Sequence, residues 1–321
     1  MKRTLAKHSP LVILAALCVV MAVMSPEFRQ AGNVQEVMRR TAVIGILAAG
    51  ELLVILIAGI DLSVGRVAGL AGVVGAITMK YCSVQMGDGF AVPAVLIGIA
   101  AGSGVGLACG IVNGVLVTIG RIPPFIVTLG MMMVAHGATL LISGGVTVAG
   151  LPAQFAWLGG AKGWWMPVLI TVSITAVIAV ALTFTRWGRA IYAIGGNLQS
   201  ARLSGLSVDR VRTSAFAISG LCAGFAGMVL ASRSSVATPN AGEMYELDAI
   251  AACVIGGASL MGGEGSAVAA LAGALIMMVL RNFCNLEDIS IYWQQVLIGA
   301  LIVTLVFYDN WRKRRAGLLK D

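Results

Sequence analysis

Few side chains in this 321-residue chain could carry covalent chemistry, and they do not converge. The six cysteines (Cys18, Cys82, Cys109, Cys222, Cys253 and Cys284) include no Cys-x-x-Cys pair. Most lie inside apolar runs, where cysteine behaves as a small hydrophobe, so neither a disulfide framework nor a zinc site is indicated. The two histidines, His8 and His136, are far apart, and His136 within an apolar run reads as a packed polar residue rather than a ligand. No Gly-x-x-x-x-Gly-Lys-Ser/Thr loop occurs, so the chain cannot bind and hydrolyse ATP by that route. The glycine-rich string from Gly256 to Gly265 lacks the lysine and the strand context, and reads as helix breaks at a sharp turn. No metal or cofactor is expected. What remains is non-covalent: passage, binding and docking.

Three groups of residues fit those roles. Glu51 stands in the middle of an apolar run between Gly50 and Leu52. A carboxylate at the centre of a bilayer costs roughly 2.5–3.5 kcal/mol on insertion scales, so it either faces a wet pathway or is held protonated or hydrogen-bonded as a structural group. Both readings stay open. Asn113, Thr128, His136 and Ser219, polar residues in other apolar runs, are assigned with it to a substrate pathway. The second group is the stretch from about 186 to 212. There Gly195-Gly196 breaks a helix, Asn197 is a good N-cap and Gly205 stands where a C-terminal glycine cap belongs, predicting a helix of about two turns over 198–204. Such a helix either lies on the membrane surface, its arginines near anionic lipid, or docks a partner. The third group is Glu243, Glu246 and Asp248, acids at the start of an apolar run that can complement a helix N-terminal dipole.

The elements that must position these groups follow from composition. The chain is 59% hydrophobic and only 11% charged, with 41 glycines. Soluble domains average about 25% charged residues, so a soluble enzyme and a disordered chain are both excluded. The abundant glycine fits membrane helices, whose backbones meet closely. The net charge of +8 lies in short clusters between apolar runs rather than along one face, which fits basic cytoplasmic loops and not nucleic-acid binding. A crossing takes about 20 apolar residues. Uncharged stretches at 8–26, 89–120, 122–161, 163–185, 213–232 and 289–308, with interrupted windows at 41–60, 64–80, 249–262 and 265–281, predict an all-α integral membrane protein of about ten transmembrane helices.

With cytoplasmic N- and C-termini, that count places Arg66, Arg121, the cluster Arg186 to Arg212 and the basic tail 309–321 inside, together with Asp61 and Glu264. It leaves Arg29, Arg39 and Arg40 outside, and 144–162 as an external loop or re-entrant segment. The basic N-terminus followed by an uncharged run lacks a small-residue cleavage site and reads as a retained first helix. The whole chain, 1–321, reads as a single transmembrane domain. Glycines 98, 102, 106, 110 and 114 recur every four residues, forming one stripe of a helix for close packing against a neighbour. Asn113 is that helix's one candidate for substrate contact.

Three stretches carry a resemblance: Gly59-Ile-Asp-Leu-Ser-Val-Gly65, Gly195-Gly-Asn-Leu-Gln-Ser-Ala-Arg-Leu-Ser-Gly205, and Tyr245-Glu-Leu-Asp-Ala-Ile-Ala-Ala-Cys-Val-Ile-Gly-Gly-Ala-Ser-Leu-Met-Gly-Gly263. With Pro124-Phe-Ile-Val-Thr-Leu-Gly-Met-Met they resemble, in order and spacing from about residue 10 to 310, the permease subunits of ribose-type monosaccharide ABC importers. The resemblance implies a permease paired with a second copy in the bacterial inner membrane. It further implies a cytoplasmic ATPase dimer that docks on coupling helices and a periplasmic binding protein that delivers sugar to the outer face. Asn197, Ser200, Ala201, Arg202, Leu203, Ser204 and Gly205 then match the coupling region, and Glu243, Glu246 and Asp248 fall near the outer entrance. Relatives of this type commonly carry an uncharged residue where this chain has Glu51, and often an Arg in place of His136. The expected mechanism is alternating access without covalent chemistry. The rivals are a branched-chain amino-acid ABC permease, whose pattern fits the first two strings less well, an ion-coupled secondary transporter, and, least of all, a membrane-embedded enzyme.

Overall fold

In the computed structural model, which describes residues 9–87, 90–161 and 163–315, the chain is built from α1 (Ser9–Met24), α2 (Ala31–Leu56), α3 (Val64–Met86), α4 (Ala91–Thr118), α5 (Pro124–Ser143), α6 (Trp165–Phe184), α7 (Arg186–Gly196), α8 (Leu198–Leu203), α9 (Val208–Ser234), α10 (Tyr245–Ile255), α11 (Ala267–Leu286) and α12 (Ile291–Arg315). Among the described residues the only β pairing is a bridge between Val148 and Ala237. The basic N-terminal residues Lys2, Arg3 and Lys7, with His8 and the tail beyond Arg315, lie outside the described residues.

Among the described residues six helices, α3, α4, α5, α6, α9 and α11, are long and apolar enough to cross a membrane. The protein is an all-α, multi-pass membrane protein. The 26-residue α2 is the most deeply set element, with every residue from Thr41 to Leu56 buried, although Arg39, Arg40 and Glu51 interrupt its apolar run. It packs against α9, α11, α6 and α10. One expected span is corrected. Only 249–255 of the window 249–262 is helical: α10 ends at Ile255, where the glycine string begins, and its 11 residues reach only about 16 Å, roughly half the hydrocarbon core. Residues 256–266 then return as a loop because Gly257, Gly262 and Gly263 adopt positive φ. Among the described residues of the segment 144–162 there is no long helix. The segment is tied to α9 where Ser232 Oγ donates to Phe155 O (2.5 Å) and accepts from Gly159 N (2.7 Å).

The glycine stripe of α4 forms the tightest seam in the bundle. A side chain at Gly106 would run into Gly220 O and the Gly224 backbone, and one at Gly110 into Phe216 O and the Gly220 backbone. Further along, Gly98 and Gly102 face the backbone of α3 at Gly75 and Ala71, and Gly114 would place a Cβ 2.8 Å from Thr213 Cα. The absent side chains let backbone touch backbone, and dispersion over that area holds helices together where lipid offers no hydrophobic contrast. Polar atoms are built into the seam as well: Thr118 Oγ1 donates to Gly114 O (2.7 Å) and lies 3.1 Å from Thr213 Oγ1.

Candidate functional site

The polar residues found inside apolar runs gather around the turn between α2 and α3. Residues 57–63 turn the chain between α2 and α3, with Gly59, Asp61 and Ser63 buried and Ala58 exposed, and Ala58 (φ 58°) adopts a left-handed conformation there. A reversal within a bilayer exposes backbone groups that water cannot satisfy, so side chains must do so. Asp61 N–H donates to Glu51 Oε1 (3.0 Å). Asp61 Oδ1 accepts from Ser63 N (2.9 Å) and Ser63 Oγ (2.5 Å), closing a turn at the start of α3. Asn113 Nδ2 donates to Ser63 Oγ (3.0 Å), and Thr128 Oγ1 donates to Ile60 O (3.2 Å). Glu51, Asn113 and Thr128, assigned to one substrate pathway on sequence, are thus brought together on one elbow, each contributed by a different helix.

Glu51 is 0% and Asp61 1% exposed. Asp61, counted with the charges of the inner side, is a buried acid. Nor is Glu51 the lone buried carboxylate, since Glu246 and Asp248 are buried too. Asp61 and Glu246 both stand at helix N-termini, α3 and α10, where unpaired N–H groups and the helix dipole favour negative charge. These two ends meet at Gly65, where a side chain would collide with Gly242 O and Glu246 Oε2. Ser219 lies beside Gly50 on the facing side of α9, its hydroxyl buried without a partner. His136 stands about two turns along α5 from Thr128 and is only half-buried, its Nδ1 lacking a hydrogen bond.

At one end of the bundle, Arg40, Arg233, Arg281, Glu243, Tyr245 and Asp248 line a cavity of about 640 Å³ between α2, α9, α10, α11 and α12. Arg281 Nη2 donates to the nearly buried Asp248 (2.7 Å), and Arg66 pairs with Glu243 at 3.3 Å. The second pair corrects a placement: Arg66 and Glu243, expected on opposite faces, are in contact. The cause is that α3 begins at the internal elbow rather than at the membrane surface, so its first turn already lies deep in the protein. Of the three acids expected to face outward, Glu243 is half-exposed and Asp248 lines the cavity. Glu246 is turned inward.

The opposite end carries α7 and α8. Thr185 caps α7, its Oγ1 accepting from Gly188 N (3.0 Å), and Asn197 Oδ1 caps α8 by accepting from Ser200 N (2.9 Å). The helix stops at Leu203 with Gly205 at φ 78°, where Gly205 N donates to Arg202 O (3.0 Å) and Leu206 N to Ala201 O (3.2 Å), a Schellman pair. Ala201 is buried against the body, and Leu203 at the tip is 91% exposed. The α7 end is locked to the bundle: Gly195 abuts Leu56 O, Gly263 N donates to Leu56 O (2.9 Å), and Tyr192 OH donates to Gly265 O (2.8 Å). Burial raises the Tyr192 phenol above its ordinary range, which keeps it a neutral donor.

What sequence reasoning missed is the elbow. Its signal was the Asp-x-Ser spacing of Asp61 and Ser63, a turn former between two apolar runs. Among the described residues no three Asp, Glu, His or Cys side chains are placed to hold a metal ion.

A multi-pass helical bundle with a charged cavity at one end and a capped, projecting helix at the other is the layout of a membrane transport protein. The chain belongs to the family described as branched-chain amino acid transport system / permease component, which matches residues 33–306. It is 38% identical to the ribose import permease proteins of Haemophilus influenzae, over 96% of this chain and 94% of that protein, and of Escherichia coli K12, over 96% and 95%. It is also 36% identical to the xylose transport system permease protein of Escherichia coli K12, over 90% of this chain and 87% of that one. No solved structure matches it. The chain is a permease component, moving a solute rather than transforming it.

Proposed function

We propose that this chain is the membrane-spanning subunit of an ATP-binding cassette importer that carries a pentose or related monosaccharide into the bacterial cytoplasm. It would work as a pair with a second permease copy in the inner membrane, with a periplasmic binding protein at the cavity end and cytoplasmic ATPase subunits at the α7–α8 end. Relatives that import ribose and xylose support the sugar class. The observation that carries the reading is the opposition of the two ends: a cavity whose paired guanidiniums, carboxylates and Tyr245 suit hydroxyl-rich solutes, and a capped helix presenting Leu203 to the aqueous phase. The whole chain acts as one transmembrane domain, 1–321.

Ten crossings with both termini cytoplasmic fit this arrangement. The loop after α10 lies against Gly195-Gly196 and Leu56, so the half-length α10 together with the descending segment before it completes one passage. Arg39 and Arg40 then belong to the cavity end, where both approach Glu36 (3.4 and 2.8 Å). Glu51, Asn113 and Thr128 act by fixing the elbow that sets where α3 begins. Ser219 and His136, whose buried polar atoms have no partner, are the pathway candidates that stay open to a solute. ATP-driven closure shifts the permease between outward- and inward-open states only as far as ATP binding differs between them.

Replacing Arg202-Leu203-Ser204 with Gly-Gly-Gly tests the docking claim. The altered permease is expected to reach the membrane while uptake and its stimulation of ATP hydrolysis by loaded binding protein are lost. Full retention of both would sink the assignment of α8 as the coupling element.

A further inference from the structure

A second charged cleft, of about 300 Å³, opens where the end of α4 meets the start of α9, beside α8. Arg121, Arg202 and Arg212 converge on it, with Thr118 and the Pro123-Pro124 turn as its walls. Only one acid is at hand. Asp209 pairs with Arg202 at 3.5 Å, and both are well exposed, so water weakens that pair. Neither Arg121 nor Arg212 forms an ion pair among the described residues, and Arg212 Nε is buried with no hydrogen-bond acceptor. Three guanidiniums drawn together with a single exposed carboxylate among them repel one another, and a buried N–H without an acceptor is costly. An anion in the cleft would relieve both penalties. A guanidinium's fixed fork matches the oxygens of phosphate better than any other biological anion except carboxylate.

The surroundings select the source of that phosphate. Next to the cleft, Ile119, Phe125 and Ile126 at the ends of α4 and α5 are exposed apolar side chains. A ligand seated on the arginines would therefore have hydrocarbon-compatible surface immediately beside its head. Free phosphate would use the arginines alone, whereas a diacyl phospholipid would use both. We propose that this cleft binds the phosphate of an anionic phospholipid, held between Arg121 and Arg212, with its acyl chains along α4 and α5. The site is independent of the transported solute and stands within reach of the α8 tip through Arg202.

The test is lipid retention by the purified full-length permease, read by native mass spectrometry after adding phosphatidylglycerol or phosphatidylcholine. Wild type is expected to retain one phosphatidylglycerol in preference to phosphatidylcholine. The double variant R121Q/R212Q should lose that preference by on the order of tenfold, while R121K/R212K keeps most of it. Size-exclusion behaviour identical to wild type shows that the glutamine variant folds. If the glutamine variant is misfolded, competition decides on wild type alone: excess phosphatidylglycerol, but not inorganic phosphate, must displace a bound fluorescent phosphatidylglycerol. Equal retention of the two lipids, unchanged preference in the folded glutamine variant, or displacement by inorganic phosphate overturns the proposal. So does loss of the ATPase subunits from R121Q/R212Q with lipid preference intact, because the cleft would then belong to the protein partner.

Discussion

The seam between α4 and α9 and the elbow between α2 and α3 lie side by side in the same bundle, and they are held together by opposite means. In the seam, glycines at four-residue intervals remove side chains so that backbones touch, and its hydrogen-bonded polar contact is the pair of hydroxyls near Gly114. In the elbow the backbone leaves its helix, and the side chains of Glu51, Asp61 and Thr128 supply hydrogen bonds it gives up, with the hydroxyl of Ser63 bonded to Asp61 and Asn113 behind them. The seam tolerates almost no added volume but is indifferent to polarity. The elbow tolerates small changes in volume but not the loss of a donor or acceptor. A membrane protein can therefore fix its geometry either by what it omits or by what it supplies.

Substitutions can break this contrast. The largest effect is expected from Gly110→Leu, whose side chain would collide with Phe216 O and the Gly220 backbone. Overpacking on that scale costs about 3 kcal/mol or more, so the purified protein should be aggregated or absent by size-exclusion chromatography. Next comes Asp61→Ala, which leaves Ser63 N–H unpaired in the interior. It should destabilise by about 1–3 kcal/mol, read as a drop in melting temperature in detergent. Asn113→Ala should cost somewhat less, because Ser63 Oγ still donates to Asp61. The smallest effect belongs to Glu51→Gln, whose amide oxygen can still accept from Asp61 N–H. Its melting temperature and uptake rate should stay near wild type, while Glu51→Ala falls measurably in both. If Gln and Ala behave alike at Glu51, the carboxylate oxygen is not what holds the elbow. If Gly110→Leu folds normally, the seam is looser than its geometry states.

The two regions were also unequally legible in the sequence. The seam was readable because glycine spacing of four maps directly onto one face of a helix, a purely local rule. The caps of α8 were readable for the same reason: Asn197 and Gly205 act on backbone groups within three or four residues of themselves. The elbow was not readable, since its partners are contributed from positions 51, 61, 63, 113 and 128, and only the folded bundle brings them together. Charge counting failed at Arg66, which meets Glu243, on the same ground. It assumes that a charge between two apolar runs sits at a membrane surface, and a chain that reverses inside the protein breaks that assumption. The end of α10 was readable too, because the glycine string that begins at Gly256 marks a helix break locally; only the extension of the window 249–262 past that break as one span went too far.

One contact described above bears on how motion could travel through this protein. Where α7 meets the end of α2 at Gly195, backbone touches backbone: Gly195 rests on the carbonyl of Leu56, and Gly263 bonds to the same oxygen. Side chains in an interface can absorb a displacement by changing rotamer, as a spring takes up slack, but backbone atoms in contact cannot. A push on α7 would therefore arrive at residue 56 without loss of travel, a few residues before the chain turns at Asp61. In mechanical terms this joint has no play, and its stiffness rests on a single hydrogen atom at position 195 where any other residue would place a carbon.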